Sequence, residues 1–294
     1  MMAWRPAVPG SRRLAVGGRR GWVARVPACL RACVQWGAGV AEGRPAVLWG
    51  LVAARAAAAG RRVSVADACA VAVRSARVSG AWAAAAGDRG PDFVICVTDP
   101  VCEQLTELQL TLGEGPCGDV LSSAAPVLAA DLGDEQSTRR WPVFAAQACL
   151  LGVGAVFAFP LTIGAIRAGV MGLYRGSPGP LPAGCLGDAL ILADMATVLL
   201  LDGLGNGADG QGADGSAATG PVVDGQSPDL AVHRAEIDQA TGMLTVQLGV
   251  PVAEAFARLR AYAYAHDRRL ADVASDIVGR RLRLQGDPGR DGGP

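Results

Sequence analysis

The stretch "VGAVFAFPLTIGAIRAGVMGLYR", residues 153–175, contains two apolar segments separated by a Gly-containing turn. Phe157 and Phe159 favour an extended backbone, because aromatic and β-branched side chains pack well on a pleated surface. Residues 148–166 form an uncharged run about as long as a membrane span. Glycines and Pro160 interrupt this run, so we interpret it as buried strands and predict no membrane span. Residues 153–175 therefore predict a β-hairpin in an antiparallel sheet.

The segments around the hairpin alternate between helical and extended patterns. Helical spacing of apolar residues is present in "VSVADACAVAVRSARV", "VCEQLTELQLTLG", "RRWPVFAAQACLLG" and "GCLGDALILADMATVLLL". "DFVICVTDP" is a short strand, and "GEGPCGDVLSSAAPVLAADL" is a loop followed by a short helix and a strand. The order helix, strand, helix, strand, helix, hairpin, helix predicts an α+β domain over residues 63–202, an antiparallel sheet with packed helices.

Three flanking segments lack the periodicity of folded elements. Residues 1–62 hold eleven Arg and one acidic residue, and predict a disordered extension or sequence upstream of the true start codon. Residues 203–228, rich in Gly, Ala, Asp and Ser, predict a flexible linker. Residues 286–294 predict a disordered tail. The sequence therefore predicts two separate folded units, at 63–202 and 229–285.

The composition argues against several classes of protein. The chain has 27 basic and 27 acidic residues and contains no Lys, so it is not an obvious polyanion binder as a whole. Eight Cys form no C-x-x-C pair, and the two His are not at ligand spacing from them, so we expect no metal site. No catalytic constellation and no phosphate loop are present, so we expect neither an enzyme nor a bound cofactor. Without a clear signal peptide, the thiols indicate a reduced, cytoplasmic protein.

The C-terminal unit contains three short amphipathic segments with tight connections. These are "LAVHRAEIDQATGMLTVQLG", "VPVAEAFARLRAYAYAHD" and "RRLADVASDIVGRRLRL". They predict a small all-α domain of three helices. Eight Arg and seven acidic residues give residues 229–285 a net charge of plus one, which is a weak basic signal. The arginines cluster around the third helix, at positions 268, 269, 280, 281 and 283.

Two sets of motifs resemble known families in order and spacing. "TDPVCEQL", "LQLTLGEGPCGDVL", "PVLAADL", "RWPVFA", "GVGAVFAFPL" and "GAIRAGVMGLYR" resemble the GAF domains of actinobacterial regulators. "IDQATGML", "LGVPVAEAFARLR" and "RLADVASDIV" resemble the ANTAR domain, an RNA-binding module of transcription antitermination regulators. The resemblance implies binding to RNA hairpins in nascent transcripts and frequent action as a homodimer.

The ANTAR resemblance and the chemistry of arginine together suggest RNA-binding residues. Guanidinium groups bind phosphate and base edges in pairs of hydrogen bonds and stack on unpaired bases. Many ANTAR domains carry Lys where this chain has Thr241. The candidate RNA-binding residues are Gln239, Ala240, Thr241, Gly242, Arg260, Arg268 and Arg269.

Gly242 has two explanations, because Gly inside a helix costs about 1 kcal/mol relative to Ala. In the first, Ala240 and Gly242 are small so that two helices can approach each other closely. In the second, Gly242 exposes the helix backbone to RNA beside Gln239 and Thr241. Both explanations stay open at this point.

The GAF resemblance implies a pocket for a small ligand over the sheet. Phe157, Phe159 and Tyr174 are the candidate lining residues, with filling of the core as the alternative. Cys117 in the loop "GEGPCG" is interpreted as a buried structural thiol rather than as a redox sensor.

These observations predict a cytoplasmic, RNA-binding transcription antitermination regulator with a GAF-like sensory domain. The alternative is a ligand-binding or dimerising signalling protein whose helical tail makes protein contacts only. Thr241 and the weak net charge favour that alternative. A DNA-binding helix-turn-helix protein is less favoured, because no basic recognition helix follows a clear turn motif.

Overall fold

The computed structural model describes residues 43–87, 90–209 and 228–284. The predicted tail, residues 1–42 of the predicted extension and residues 210–227 of the predicted linker lie outside the described residues. The first domain contains, in chain order, α1 (Arg44–Ala58), α2 (Val65–Ser75), β1 (Gly80–Gly87), β2 (Gly90–Val97), α3 (Pro100–Leu112), α4 (Pro116–Ser123), β3 (Val127–Ala129), α5 (Glu135–Arg140), α6 (Pro142–Leu150), β4 (Ala155–Ile163), β5 (Ile166–Arg175) and α7 (Ala183–Asp209). The second domain contains α8 (Pro228–Leu248), α9 (Val252–Ala265) and α10 (Leu270–Val278).

The described strands form one sheet in the order β2-β1-β5-β4-β3. Every neighbouring pair in this sheet is antiparallel. The hairpin predicted from residues 153–175 is confirmed as β4 and β5, which turn between Ile163 and Ile166. The predicted α+β class of the first domain is therefore confirmed.

Strand β1, "GAWAAAAG", lies between β2 and β5 and was missed by the sequence prediction. Alanine and glycine have low β-propensity, so the segment has no strand pattern of its own. A small residue is needed on the neighbouring strand β5, because the large Trp82 ring of β1 packs against that strand. A Cβ added at Gly172 of β5 would lie 2.1 Å from Trp82 Cε2, so only glycine leaves room for the indole.

The sheet separates two layers of helices, since successive side chains of a strand point to opposite faces. On one face, Trp82, Val156 and Tyr174 belong to a core with buried residues of α3, α4 and α6. Helix α7 packs against β4 and β5, and α2 packs against α7 and β1. The buried side chains that alternate with the first set, such as Phe157, face this second layer.

Helix α1 contradicts the predicted extension for residues 43–62. It buries Leu48, Val52 and Ala56, which recur every fourth residue, and it contacts α2 and α7. Arg44 Nε also donates to Asp188 Oδ1 of α7 at 2.7 Å. Nearly all of the other side chains of α1 are apolar too, so the sequence lacks an amphipathic pattern, and tertiary packing stabilises the helix. The domain boundary predicted at residue 63 is therefore wrong.

Arg61, in the same predicted extension, forms a second connection to the domain. Its guanidinium donates to both carboxylate oxygens of the buried Asp67, with both distances 2.6 Å. Asp67 Oδ2 also accepts from the backbone N–H of Ser64, which completes a capping box at the start of α2. Residues 43–62 thus contribute both apolar packing and a buried ion pair.

Helix α7 extends into the predicted linker. It ends at Asp209, so residues 203–209 are helical. Its segment Ala183–Gly203 is, within the described part of the chain, the one helix long and apolar enough to cross a membrane, with a mean hydropathy of 1.8. The uncharged run 148–166, in contrast, comprises the end of α6 and the strand β4. The expectation of two strands in that run was therefore correct for one strand only.

We predict that Leu48→Ala destabilises the protein by about 2–5 kcal/mol, because it leaves a cavity between α1, α2 and α7. Leu150→Ala is the matched control, since Leu150 is also a helical leucine of this domain, at the end of α6, and is 80% exposed. It should change the free energy of unfolding by no more than about 0.5 kcal/mol. Urea unfolding followed by circular dichroism measures both values. Equal stability of Leu48→Ala and wild type would show that α1 does not pack on the domain.

Candidate nucleic-acid interface

Helices α8, α9 and α10 contact one another around a common apolar core. The buried members of this core are Ala240, Leu244, Val250, Ala255, Leu259, Ala263, Leu270, Val273, Ala274, Ile277 and Leu284. Gly249 ends α8 with a φ of 63°, a backbone conformation that favours glycine. Pro251 then precedes α9 directly. The predicted all-α domain of three helices is confirmed.

Ala240 and Thr241 lie on the buried side of α8. Ala240 belongs to the three-helix core, and the Thr241 hydroxyl donates to the carbonyl oxygen of Ile237 at 2.7 Å. Thr241 is 5% exposed. The position at which many ANTAR domains carry Lys is therefore buried in this structure, and neither residue presents its side chain to solvent.

Gln239 and Gly242 lie on the exposed side of the same helix. A Cβ added at Gly242 would have nothing within 4 Å, so no neighbouring helix requires glycine here. The packing explanation for Gly242 is therefore wrong, and the helix backbone is open at this position. Val246, 86% exposed, continues the same stripe one turn further along α8. Sequence analysis missed Val246, although its spacing of four from Gly242 was a usable signal.

The arginines around α10 have different partners. Arg268 Nη2 lies 2.7 Å from Asp276 Oδ2, and Arg281 Nε lies 2.6 Å from Asp276 Oδ1. Hydrogen bonds from these two guanidinium groups lower the pKa of Asp276. Arg280 and Arg283 are exposed, and within residues 228–284 neither forms an ion pair. Both side chains are therefore open to a ligand.

Arg260 and Arg269 both contact the first domain, and Arg269 also stays partly exposed to solvent. Arg269 Nη2 lies 2.6 Å from Glu103 Oε1, on α3. Arg260 Nε donates to the backbone carbonyl of Thr111, near the end of α3, at 2.9 Å. The residues predicted to bind RNA are thus divided among an exposed stripe, a buried face, an ion pair within the domain and a contact with α3.

The tyrosines of α9 lie in two different environments. Tyr262 is half-buried and stacks on His266, with ring centroids 3.9 Å apart. Tyr264, two residues further along the helix, is exposed. Of the two rings, Tyr264 is the one available to stack on a base.

The three residues predicted to line a ligand pocket do not share one face of the sheet. Tyr174 pairs with Val156 across β5 and β4, and both belong to the core beneath α3. Phe157 and Phe159 are fully buried on the opposite face. The predicted pocket of Phe157, Phe159 and Tyr174 is therefore wrong, and the two Phe side chains fill the layer against the second set of helices.

Tyr174 instead fastens β5 to the start of α3. Its hydroxyl donates to Asp99 Oδ1 at 3.2 Å, and the Cys102 thiol donates to Asp99 Oδ2 at 3.3 Å. Asp99 also caps α3 by accepting from the backbone N–H groups of Val101 and Cys102. Burial, and then the nearby Asp99 carboxylate, raise the pKa of Tyr174 well above its ordinary value. This cluster is a structural connection between the sheet and α3.

Cys117 lies in the core on the same face of the sheet. Burial raises the pKa of its thiol to about 12, so the reactive thiolate is scarce at neutral pH. Its backbone N–H donates to Gln109 Oε1 of α3 at 2.9 Å. In the described part of the chain, the buried Trp82 Nε1–H has no nitrogen or oxygen acceptor, and the Cys117 sulfur near it is a weak one. No group of three or more His, Cys, Asp and Glu side chains is placed there to hold a metal ion.

Comparison with known proteins assigns the C-terminal helices. Residues 231–278 match the ANTAR domain family. No curated protein matches the sequence. The GAF domain of a phosphoenolpyruvate-protein phosphotransferase from Coxiella burnetii is 12% identical, with a TM-score of 0.43, over 56% of this chain and 99% of that chain. The GAF domain of the Acinetobacter phosphoenolpyruvate-protein phosphotransferase is 12% identical, with a TM-score of 0.40, over 55% and 98%.

The fold and the family match describe complementary parts of the chain. The described residues up to 209 form the antiparallel sheet with packed helices that the GAF-like motifs imply. Helices α8, α9 and α10 contain the matched region. The chain therefore contains a GAF-like α+β domain, and a region at residues 231–278 that matches the ANTAR domain family.

Proposed function

We propose that this protein is an RNA-binding transcription antitermination regulator, in which the GAF-like domain senses a signal and the ANTAR domain binds RNA. The observation that carries the proposal is the open backbone at Gly242, in the middle of a helix of the ANTAR domain. Glycine costs stability at such a position and nothing in the fold requires it. A ligand that approaches the backbone closely accounts for it.

The proposed RNA surface begins with the exposed stripe of α8, Gln239, Gly242 and Val246. A nucleotide can approach the bare backbone at Gly242 while the Gln239 amide bonds to a base edge. Arg280 and Arg283 are open to phosphate in this conformation. Arg260, Arg268 and Arg269 join the surface after exchanging their present carboxylate and carbonyl partners for RNA. Ala240 and Thr241 support the stripe from inside without touching the ligand.

RNA hairpins in nascent transcripts are the proposed target. A hairpin offers phosphates along its stem and unpaired bases in its loop, which are the groups that Arg and an exposed aromatic ring bind. Tyr264 supplies such a ring. Binding that favours an antiterminator hairpin over a terminator couples this recognition to transcription.

The sensor domain is proposed to take a small molecule on the face of the sheet beneath α3. The support is the buried Trp82 Nε1–H, which lies near the Cys117 sulfur, a weak acceptor, and has no stronger acceptor among the described residues. A ligand with a carbonyl or carboxylate oxygen would satisfy this donor.

We further propose that the protein is regulatory rather than catalytic, cytoplasmic, and a homodimer. Support for the homodimer comes from exposed apolar side chains on two helices that contact each other, Val47 and Leu51 on α1 and Leu190 on α7. Sedimentation equilibrium measures the mass, and a monomer at all concentrations would exclude the dimer.

The alternative function, a signalling protein whose helical tail makes protein contacts only, has one specific observation in its favour. Arg260 and Arg269 both contact α3 of the sensor domain. Binding of a two-hairpin RNA by the full chain, measured against duplex DNA of equal length at physiological salt, distinguishes the two. No preference for the RNA would favour the protein-contact function.

We predict that Gly242→Ala stabilises the protein by up to about 1 kcal/mol and weakens RNA binding. The first effect follows from helix propensity, and the second from the methyl group placed where RNA approaches. Gly50→Ala is the matched control, because Gly50 is also in a helix, in α1, with nothing within 4 Å of an added Cβ. It should give a similar gain in stability and leave RNA affinity unchanged. Unchanged affinity in Gly242→Ala would remove the stripe from the RNA surface.

We predict that Arg280→Gln with Arg283→Gln weakens RNA binding and reduces its salt dependence. Each lost phosphate contact should lower the slope of log affinity against log salt concentration by about 0.7–0.9. Arg74→Gln with Arg77→Gln is the control, since it removes two exposed arginines from the sensor domain, and Arg77 shares the positive φ of Arg280. A filter-binding salt titration measures both slopes, and equal slopes in the two double variants would contradict the assignment.

A further inference from the structure

Helix α3 packs against two cores at once. Cys102 and Leu105 lie in the core of the GAF-like domain. Leu110, two turns further along the helix, packs against the core of the ANTAR domain. A single helix of the sensor therefore also forms part of the support for the proposed RNA-binding domain.

Two acidic residues of α3 bind hydrogen-bond donors of the ANTAR domain. Glu103 Oε1 lies 2.6 Å from Arg269 Nη2. Glu107 Oε1 accepts from the backbone N–H of Leu270, the first residue of α10, at 2.5 Å. Arg269 at the N-cap position of α10 provides no side-chain cap, so the Glu107 carboxylate takes that place. A phosphate oxygen could bind the same two donors, the Arg269 guanidinium and the Leu270 N–H, that these carboxylates now bind.

The carboxyl end of α3 holds a second arginine of the ANTAR domain. Arg260 Nε donates to the carbonyl oxygen of Thr111, at the negative end of the helix dipole. The guanidinium lies over Gly113, where an added Cβ would be 1.8 Å from Arg260 Nη2. Burial in this contact lowers the pKa of Arg260. Glycine at the end of α3 thus leaves the space that this arginine occupies.

We propose that α3 is an autoinhibitory element, an acidic helix that competes with RNA for the arginines and for the N-terminus of α10. This inference rests on the proposed RNA-binding function and adds how the sensor controls it. In the docked conformation described here, Arg260, Arg269 and the first turn of α10 are withheld from RNA. RNA binding and α3 docking exclude each other at these groups, so each weakens the other.

The contact between α3 and the ANTAR domain is weak enough to form and break reversibly. The Glu103–Arg269 pair is about half exposed, 41% and 47%, so it contributes at most about fivefold to the docking equilibrium. On its inner side, α3 is linked to the sensor core through Gln109, which is buried and accepts from Cys117 N–H. A rearrangement of this core shifts α3 and releases the ANTAR domain, because packed interfaces switch between discrete arrangements.

The test compares RNA affinity of full-length variants altered only in the sensor domain. Glu103→Gln should raise affinity for a two-hairpin RNA by about two- to fivefold. Glu135→Gln is the matched control, because Glu135 is an exposed glutamate of the same domain that pairs with Arg139 of its own helix. It removes the same charge without touching the docking contact, and should leave RNA affinity unchanged.

A second variant tests the apolar part of the contact. Leu110→Ser should raise RNA affinity by about tenfold, since it weakens docking without changing any charge. Leu150→Ser is its control, because it makes the same substitution at a leucine of the sensor domain that lies at the end of α6 and is 80% exposed. Hydrogen exchange of the Leu270 amide, bonded to Glu107 in the docked form, should accelerate in Leu110→Ser and not in Glu135→Gln.

The outcomes separate this inference from the function on which it rests. Increased affinity in Glu103→Gln and Leu110→Ser, with unchanged affinity in the controls, supports autoinhibition. Tight RNA binding by wild type that none of the variants changes overturns autoinhibition and leaves the RNA-binding function in place. Failure of every variant to bind RNA, despite faster Leu270 exchange in Leu110→Ser, overturns both.

Discussion

Helix α3 has to complete two cores with the side chains of one 13-residue segment, and the arrangement of both domains depends on this constraint. Its ends are set locally, by the Asp99 cap at the start and by Gly113 in the left-handed conformation at the end. The inner face of α3 packs on the sensor core. The side chains on its outer face therefore determine what can dock on α3. Those residues combine carboxylates with one apolar anchor, Leu110.

The weak net charge of the ANTAR domain has a physical explanation in this arrangement. A strongly basic surface would have to be desolvated against the sensor without compensation, which is costly. Here Asp276 pairs with both Arg268 and Arg281 within the domain, and Glu103 of the sensor pairs with Arg269. Carboxylate and phosphate oxygens can both bind a guanidinium group. The pairing that reduces the positive charge of the docked surface therefore leaves it able to exchange one anion for another.

The open stripe of α8 differs from the arginines in this respect. Gln239, Gly242 and Val246 are exposed in the docked conformation, and the backbone at Gly242 is unobstructed. In the proposed mechanism, an encounter with RNA begins there and at Arg280 or Arg283 while α3 is still docked. Full engagement then requires Arg260 and Arg269 to leave α3, so the proposed affinity for RNA depends on the state of the sensor.

Local patterns in the sequence determined much of this protein. The β4–β5 hairpin and the three C-terminal helices were predictable because their apolar periodicity is carried by neighbouring residues. The order of the ANTAR-like motifs located Gln239 and Gly242 on α8, and both are exposed there as the RNA hypothesis requires. Tertiary structure alone showed that Gly242 makes no helix contact among the described residues, since an open helix face and a helix contact have the same local sequence.

The remaining features depend on residues far apart in the chain. Ala-rich β1 is a strand because β2 and β5 pair with it and Trp82 needs the space over Gly172. Apolar α1 is folded because α2 and α7 cover one side of it. The cross-strand register places Tyr174 opposite Val156 and so on the other face from Phe157, which neither strand specifies by itself. The partners of Arg260 and Arg269 lie about 150 residues earlier, on α3. Such contacts follow from the packing of whole helices and strands. The neighbouring residues in the sequence determine which face of an element is apolar, but they do not determine which distant residue packs against it.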